Sequence, residues 1–222
     1  MNPKRAKLLE AESEKISDFF PTLSLRLEKE DVALIEGPLE IVDNIAYSIR
    51  IFVPPDYPRY EPLLVCDPRE IPWNIDRHVS EKNGVACLCT PSETRILWPP
   101  GNDLSDFIEK LVKPFFIGQF YFDTHGRWPP TGERSHGRAG VLETFHELLA
   151  DVENLNESKI RAFLRLLARK NHPKGHETCP CGNGKKLRHC HRELLQKLRK
   201  SIDPRHALLD FEEAFGRGPK HT

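Results

Sequence analysis

The sequence predicts an α+β fold, in which an opening helix precedes an antiparallel meander sheet and further helices follow. Residues 4–20 place Leu9, Ile16 and Phe20 on one face, as an amphipathic helix does, and Pro21 should end that helix. Several short segments after it alternate apolar and polar side chains or are rich in β-branched residues, as strands are. An opening helix with three to five strands behind it is the pattern of an α+β domain.

The strand segments are short and are separated by turn-forming residues. The pair Gly37-Pro38 is predicted as one such turn. After residue 53 the prolines of VPPDYP should end the ladder, since proline has no N–H to donate. The predicted strands cover residues 23–27, 32–35, 39–42, 46–53 and 63–66.

A second group of helices is predicted from residue 103 onward, where apolar side chains recur at helical spacing. Pro114 should end or kink the first of them. The apolar run over residues 115–122 fits either a strand or the buried end of a helix, and periodicity does not decide between the two. The polar stretch 123–140 is predicted as a loop. Further helices are predicted over residues 141–151, 158–170, 192–202 and 204–216.

Composition places the chain among soluble globular proteins. Of its 222 residues 38% are hydrophobic and 30% are charged, and no apolar run approaches the roughly 20 residues of a membrane span. The charged N-terminus lacks the apolar stretch of a signal peptide. We therefore expect a cytoplasmic protein with no membrane partner, whose six cysteines serve reactivity or metal binding and not disulfides.

Charge is spread unevenly along the chain, although the net charge is zero. Residues 157–206 hold 14 Lys and Arg against 4 Asp and Glu, a net charge of +10, so the remainder carries a net charge of −10. This basic segment could meet nucleic acid, an acidic partner or the acidic remainder of the chain, or it could be a solvated helical face.

Three thiols and an imidazole lie within thirteen residues near the C-terminus, at Cys179, Cys181, Cys190 and His191. A Cys3His set in a tetrahedron is a standard structural zinc site, so the sequence predicts bound Zn²⁺. Because the segment has little apolar content, the ion is expected to supply its folding energy. The motif resembles the zinc motif at the C-terminus of SecA (SEC-C).

Two other features of the zinc segment matter to the prediction. Gly182 and Gly184 permit the tight turn that brings the first two cysteines onto one ion. His189 and His176 are rivals for the fourth ligand position, and His191 is the one that fits the motif.

An ordered series of residues between 57 and 99 resembles the ubiquitin-conjugating enzyme family. The series consists of Tyr57-Pro58, Pro62, His78, Gly84, Cys87-Leu88 and Trp98-Pro99. The resemblance implies a ubiquitin-conjugating fold over residues 1–152, followed by a helical extension, 153–222, that carries the zinc motif at 179–191. The segment WPPTGERSHG, residues 128–137, resembles bacterial members encoded in ubiquitin-like conjugation operons linked to phage defence.

The resemblance implies an acyltransferase that uses a thioester. Cys87 would accept a ubiquitin-like protein from an activating enzyme and pass it to a lysine on a target protein. Cys89 is the competing nucleophile, and the pattern Gly-x-x-Cys-Leu selects Cys87. A redox or metal pair of Cys87 with Cys89 is the alternative reading of these two residues, and a buried core cysteine is the alternative for Cys87 alone.

A working thiolate needs an electropositive setting or a neighbouring base, for which His78, Lys82 and Arg95 are the candidates. In the family this histidine mainly shapes the loop, so His78 is predicted as a supporting residue. The family triplet His-Pro-Asn, whose Asn stabilises the oxyanion, is replaced here by His78-Val79-Ser80. Ser80, Asn83 or a backbone N–H could fill that role.

Two functions of other classes remain open from the sequence. The fold also occurs as a non-catalytic scaffold that binds a carrier protein, and the basic region 157–206 could bind nucleic acid or a protein partner. His125 and His136 could approach the active site or be ordinary loop histidines. Packing roles are predicted for Tyr57, Pro58, Cys66, Trp73 and Trp98.

Overall fold

A computed structural model of the chain describes residues 3–42, 44–130 and 135–216 and confirms the α+β class. The strands are β1 (Ser24–Leu27), β2 (Ala33–Val42), β3 (Ile45–Val53) and β4 (Leu63–Leu64). The α-helices are α1 (Pro3–Phe19), α2 (Pro91–Leu97), α3 (Leu104–Phe107), α4 (Lys113–His125), α5 (Gly137–Leu148), α6 (Glu157–Leu167), α7 (Arg192–Ser201) and α8 (Pro204–Phe215).

The chain forms two compact units, and neither is continuous in sequence. The first unit comprises residues 1–88 and 100–132, and the second comprises residues 89–99 and 133–222. The stretch that contains α2 therefore belongs with the C-terminal helices, although it interrupts the first unit in sequence. The predicted domains 1–152 and 153–222 stay a prediction, since compactness alone does not show which part folds independently.

The sheet of the first unit is an antiparallel meander in the order β1-β2-β3-β4, as the sequence predicted. The predicted turn at Gly37-Pro38 is wrong, because β2 runs through both residues and Pro38 pairs with Ser48 of β3. Pro38 is tolerated because the pairing with β1 does not extend past Glu36. The Pro38 carbonyl accepts a hydrogen bond from the Thr22 hydroxyl on that open side. An N–H at Pro38 would point to the same side, so its absence costs no ladder hydrogen bond.

One helical rod in the first unit continues through Pro114, which does not end it. A π-helical turn, Ile108–Val112, joins α3 to α4, and Pro114 lies in the first turn of α4, where its missing N–H is tolerated. The apolar run 115–122 is therefore helical, and α4 packs on β2. Phe116 of α4 is buried and stacks on Tyr47 of β3, with ring centroids 4.8 Å apart.

A buried carboxylate on α1 ties the opening helix to two other parts of the first unit. Glu12 accepts a hydrogen bond from the Tyr57 hydroxyl at 2.6 Å and another from the Leu104 backbone N–H at 2.8 Å. Burial, together with the bond to Glu12, raises the pKa of Tyr57 far above its ordinary value. Tyr57, which precedes Pro58 across a cis peptide bond, therefore has the packing role that the sequence predicted.

The second unit is helical, and its core lies between α5, α6, α7 and α8. Helix α8 packs against α2, α5 and α6. The largest fully buried side chains of this unit include Phe145 and Phe163. Helix α2 was not predicted from the sequence. In the part of the chain that the structure describes, no helix combines the length and the apolar character that crossing a bilayer requires.

Part of the positive charge of the second unit has a structural use. The Arg199 guanidinium of α7 donates to the carbonyls of Leu166, Leu167, Arg169 and Lys170 at 2.9–3.3 Å. The carbonyls of Leu166 and Leu167 lie in the last turn of α6 and have no helical N–H to accept from, so Arg199 caps that helix. One cation of the basic segment is thus used in hydrogen bonds within the unit.

Candidate functional site

Cys87 stands at the end of a short ladder that extends the sheet beyond β4. The N–H of Ala86 donates to the Leu64 carbonyl at 2.9 Å, and Val65 is bridged to Val85. On the other side the Cys87 N–H donates to the His78 carbonyl at 2.8 Å. We call residues 78–87 the thiol loop. Its two arms are hydrogen-bonded to each other, so the position of the thiol is set by backbone pairing.

The turn of the thiol loop depends on Gly84. Its φ is +69°, in the left-handed region, and a Cβ atom there would lie 2.3 Å from the Trp73 ring. The Trp73 indole N–H donates to the Cys66 carbonyl at 2.9 Å, which fixes the ring against the loop. Trp73 thus has the packing role that was predicted, and only glycine satisfies both the turn and the ring.

A buried arginine anchors the start of the thiol loop on α4. Arg77 donates through Nε to Gln119 at 2.6 Å and pairs through Nη1 with Asp123 at 2.7 Å. Gln119 is fully buried and returns a bond from its amide to the Arg77 carbonyl at 2.7 Å. The guanidinium also lies 4.7 Å from the centroid of the Phe122 ring. Three contacts to α4 therefore fix the residue that precedes His78.

His78 contributes to the thiol loop through its backbone conformation and its carbonyl group. It adopts a φ of +53°, which ends the 3-10 turn Ile75–Arg77, and its carbonyl receives the Cys87 N–H. Its ring meets the edge of Trp128 with centroids 4.8 Å apart, and the Trp128 indole donates to the Asp76 carbonyl at 2.8 Å. This arrangement agrees with a supporting residue that shapes the loop, and any part of His78 in catalysis stays a prediction.

The cysteines of this region differ in access. Cys87 is exposed, whereas Cys66 is buried, and burial raises the pKa of the Cys66 thiol to about 12. Cys66 is thus an inert core residue, as predicted. Cys89 is half-buried, and its Sγ lies 3.2 Å from the Thr94 hydroxyl. On exposure alone, Cys87 is the better placed of the three to meet a protein substrate.

The groups suggested for oxyanion stabilisation or for activation of the thiol differ in their surroundings. The Asn83 carboxamide oxygen accepts from the Val85 N–H at 3.3 Å, and the Cys87 N–H is already engaged by His78. Ser80 and Lys82 are exposed in the loop. Arg95 lies in the second unit, is buried, and has its Nε 3.4 Å from a carboxylate oxygen of Asp203.

The histidines near the second motif are placed as follows. His125 lies in the last turn of α4, where its ring stacks on Tyr121 and its Nδ1 is 3.0 Å from the Tyr121 carbonyl. His136 is the N-cap residue of α5. Residues 131–134 of the segment 128–137 lie outside the described residues.

Cys179, Cys181, Cys190 and His191 converge on one point, and we call them the metal cluster. Their ligand atoms all lie within 4.8 Å of one another. The Sγ of Cys181 is 3.5 Å from the Sγ of Cys190, and the Nδ1 of His191 is 3.3 Å from the Sγ of Cys179. A zinc tetrahedron with bonds of about 2.3 Å has edges of about 3.8 Å, so this set could hold a metal ion with little adjustment.

A small hairpin carries the first two cysteines. Thr178 is bridged to Lys186, and Gly182 and Gly184 both have positive φ, as the predicted tight turn requires. Asn183 between them donates from its amide to the Cys190 Sγ at 3.1 Å. A donor aimed at a sulfur is the kind of outer contact that orients metal ligands.

Of the three histidines considered for the fourth position, His191 is the one that lies with the three cysteines. His191 is the histidine of the metal cluster, whereas the Nε2 of His189 accepts from the Arg188 guanidinium at 3.0 Å. The ring of His191 also meets the edge of Phe163 of α6, with centroids 5.9 Å apart.

The metal cluster is embedded in the core of the second unit, which the sequence did not indicate. Cys179 and Cys181 are 2% and 7% exposed and belong to the same apolar cluster as Phe163 and Leu195. Burial raises the pKa of the Cys179 thiol, and a cation that binds there displaces the thiol proton.

Comparison of the chain with protein-family models, with curated proteins and with solved structures gives no match.

Proposed function

We propose that this chain is a ubiquitin-conjugating-like acyltransferase that carries a ubiquitin-like protein as a thioester on Cys87. The observation that carries the proposal is the exposed Cys87 thiol, held at the end of a hydrogen-bonded loop beside a four-stranded meander. The order of elements, with a helix before the meander and the thiol loop after it, supports the ubiquitin-conjugating fold. The residue series from Tyr57 to Pro99 supports the same family.

The chemistry proceeds in two transfers. In the first, the Cys87 thiolate attacks the activated C-terminal carbonyl that the activating enzyme presents, a C–S bond forms, and the enzyme's thiolate leaves. In the second, a lysine amine of the target attacks the thioester carbonyl, an amide bond forms, and the Cys87 thiolate leaves while the amine proton passes to solvent. The chain's own contribution is the nucleophile and its position.

Three further parts of the proposal rest on the sequence alone. A cytoplasmic location is the expectation from the composition of the sequence, and the resemblance of residues 128–137 to bacterial members supports an antiphage conjugation system. The resemblance of the series from Tyr57 to Pro99 to the ubiquitin-conjugating family supplies the partners, which are a ubiquitin-like protein, an activating-like enzyme and a target with an acceptor lysine.

We also propose that the metal cluster binds one structural Zn²⁺. Three thiolates and an imidazole complete a zinc tetrahedron, so no coordination position is left for a substrate. The described geometry fits this set, because the ligand atoms lie within 4.8 Å of one another and Cys179 and Cys181 are buried. The ion would support the second unit and take no part in acyl transfer.

The nucleophile is tested with the proteins encoded beside the gene. Mixing the chain with a candidate activating enzyme, a candidate ubiquitin-like protein and ATP should give an adduct that a thiol reductant cleaves. Cys87→Ser should turn it into a more stable oxyester or abolish it, since a hydroxyl replaces the thiol. Cys89→Ser is the matched control and should leave the adduct unchanged.

The measurement is a non-reducing gel with mass spectrometry of the adduct. An adduct that survives Cys87→Ala and disappears with Cys89→Ala would assign the nucleophile to Cys89. A wild-type chain that forms no adduct with any neighbouring ubiquitin-like protein would favour the non-catalytic scaffold.

A further inference from the structure

Three arginines of the second unit gather over two aromatic rings of α8. The guanidinium carbon of Arg161, on α6, lies 5.9 Å from the centroid of the Phe211 ring and 5.6 Å from that of Phe215. Arg165 of α6 lies 5.5 Å from the Phe211 ring, and Arg138 of α5 lies 5.6 Å from the Phe215 ring. The two rings are neighbours, with centroids 5.6 Å apart. We call Arg138, Arg161 and Arg165 the arginine row.

The helical repeat of α6 builds the centre of the arginine row. Arg161 and Arg165 are four residues apart, so their side chains leave the same face of the helix about 6 Å apart along its axis. Phe211 and Phe215 have the same spacing on α8, where Phe211 is buried and Phe215 is half-buried. A guanidinium that stacks on a ring keeps its N–H edge for donation and loses less freedom when it binds an anion.

The positive charge of the arginine row is only partly neutralised. Arg138 pairs with the Glu157 carboxylate and donates to the Ala214 carbonyl at 3.0 Å. Over residues 3–42, 44–130 and 135–216, neither Arg161 nor Arg165 forms an ion pair, and both side chains are exposed. Like charges one helical turn apart repel each other. An anion that binds both guanidinium groups would relieve this repulsion.

Shielding the two rings from water does not by itself explain three cations. One arginine for each ring would be enough for that purpose, since its stem and planar head cover apolar surface. Guanidinium groups over the rings also leave little apolar surface there for a protein partner. The core of a protein–protein interface is apolar and depleted of charge, whereas interfaces with nucleic acid are polar and strongly positive. The arginine row therefore favours a polyanion.

We infer that the arginine row binds the phosphodiester backbone of a nucleic acid without reading its base sequence. A phosphate accepts two parallel hydrogen bonds from one guanidinium, and phosphates recur along a strand as the arginines do along α6. The site uses neither Cys87 nor the metal cluster, because all of its side chains come from α5, α6 and α8. Single strands and duplexes share this chemistry, and the test separates them.

The test measures the salt dependence of binding by the full zinc-loaded chain. The probes are a short fluorescein-labelled DNA duplex of arbitrary sequence and one of its strands, and fluorescence anisotropy gives the binding constant between about 50 and 200 mM KCl. Arg161→Gln combined with Arg165→Gln removes two charges and keeps good helix formers. Lys197→Gln combined with Lys200→Gln is the matched control, since it removes two exposed cations from α7.

We expect the wild type to bind DNA, with the logarithm of its binding constant falling linearly with the logarithm of salt concentration. Because two phosphate contacts are lost, the glutamine pair should make that slope shallower by about 1.8 on the duplex and about 1.4 on the single strand. The control on α7 should keep the wild-type slope. The tighter of the two probes identifies the form of nucleic acid that the row fits.

A lysine pair separates charge from packing. Arg161→Lys combined with Arg165→Lys should keep the wild-type slope, because both charges remain, but should bind more weakly, because the planar fork is lost. A lysine pair that loses the slope would overturn the inference, since the substitutions would then act through the rings and not through phosphate contacts.

Other outcomes would also overturn the inference. These are a wild type that binds neither probe at the lowest salt concentration, a glutamine pair with the wild-type slope, and an α7 control that flattens the slope equally. Polyglutamate that displaces the duplex as well as unlabelled duplex does would assign the row to an acidic protein instead. Zinc content and thermal unfolding verify that each variant is folded. If the glutamine pair does not fold, Arg165→Gln alone replaces it, with an expected change in slope of about 0.9 on the duplex.

Discussion

The thiol loop and the metal cluster use the same functional group in opposite ways. Cys87 is a single exposed sulfur on a loop whose backbone is tied to the sheet. The metal cluster gathers three sulfurs and an imidazole that face one another, and two of its cysteines are buried in an apolar core. The first arrangement leaves a thiol exposed to solvent, whereas the second gathers its thiols around one point.

The difference shows that backbone context decides what a cysteine can do. In the thiol loop the side chains of Trp73 and Arg77 hold the chain while the sulfur stays outside. In the metal cluster the hairpin and the core bring the sulfurs inward. Changes in one region should therefore leave the chemistry of the other intact, which the following variants examine.

The largest effect is expected from removing two ligands of the metal cluster. Cys179→Ser combined with Cys181→Ser should abolish binding of the single zinc ion, whose binding can contribute about 10 kcal/mol to folding. Because both cysteines are core residues, cooperative unfolding of the second unit should be lost too. Metal analysis and thermal unfolding measure this, with Cys89→Ser as the control. Undiminished zinc in the double variant would place the ion elsewhere.

A smaller and more local effect is expected from Gly84→Ala in the thiol loop. The positive φ costs alanine about 1–2 kcal/mol, and overlap with the Trp73 ring should raise the loss of stability to about 3 kcal/mol. Thioester formation should fall while zinc content stays unchanged. Gly101→Ala is a matched control, since Gly101 also has a positive φ, of +98°, but no atom within 4 Å of the added Cβ.

Urea unfolding of the two glycine variants separates backbone strain from the clash. If Gly101→Ala destabilises the chain as much as Gly84→Ala does, the contact with Trp73 contributes nothing and the loop is fixed by its hydrogen bonds alone.

The smallest effect is the change of stability with pH that the buried carboxyl of Asp210 causes. Burial raises its pKa to about 6, from an ordinary value of 3.8. Since the folded chain holds this proton more tightly than the unfolded chain does, the stabilisation is complete below pH 3.8 and is lost as the pH rises through 6. Asp210→Asn lacks this titration, so above pH 6 it should be more stable than the wild type by about 3 kcal/mol.

Urea unfolding at several pH values with zinc present measures that difference. The advantage of Asp210→Asn should grow by about 1 kcal/mol between pH 5 and pH 7.5. A difference that stays constant over this range would mean that Asp210 does not titrate there. Glu213→Gln should track the wild type at every pH.

Local pattern predicted much of this architecture. The alternation over residues 46–53 indicates one buried face, and β3 formed there. The helical spacing over residues 158–170 also indicates one buried face, and α6 formed there but ends at Leu167. The ligands of the metal cluster could be named because all four lie within thirteen residues and their chemistry is specific.

What the sequence did not predict depends on contacts between distant residues. Helix α2 is short and carries no strong apolar periodicity, and its place is set by Asp210 in α8. From the sequence Arg199 was counted as a surface charge, because its bonds to the carbonyls at the end of α6 join residues about 30 positions apart. Pro38 and Pro114 were treated as breaks because the open strand edge and the π-helical turn that accommodate them are not visible in the sequence.

The Ser92 N–H of α2 donates to a carboxylate oxygen of Asp210 in α8, and their separation in sequence has a consequence for synthesis of the protein. The 118 positions that follow Ser92, up to and including Asp210, take a ribosome roughly 6 to 24 seconds to translate, at about 5–20 residues per second. During that interval the thiol of Cys87 has been made, but the helix that anchors α2 has not. A nascent chain therefore carries α2 before the acceptor of the Ser92 N–H exists, and α2 reaches its final contacts only after α8 has been translated.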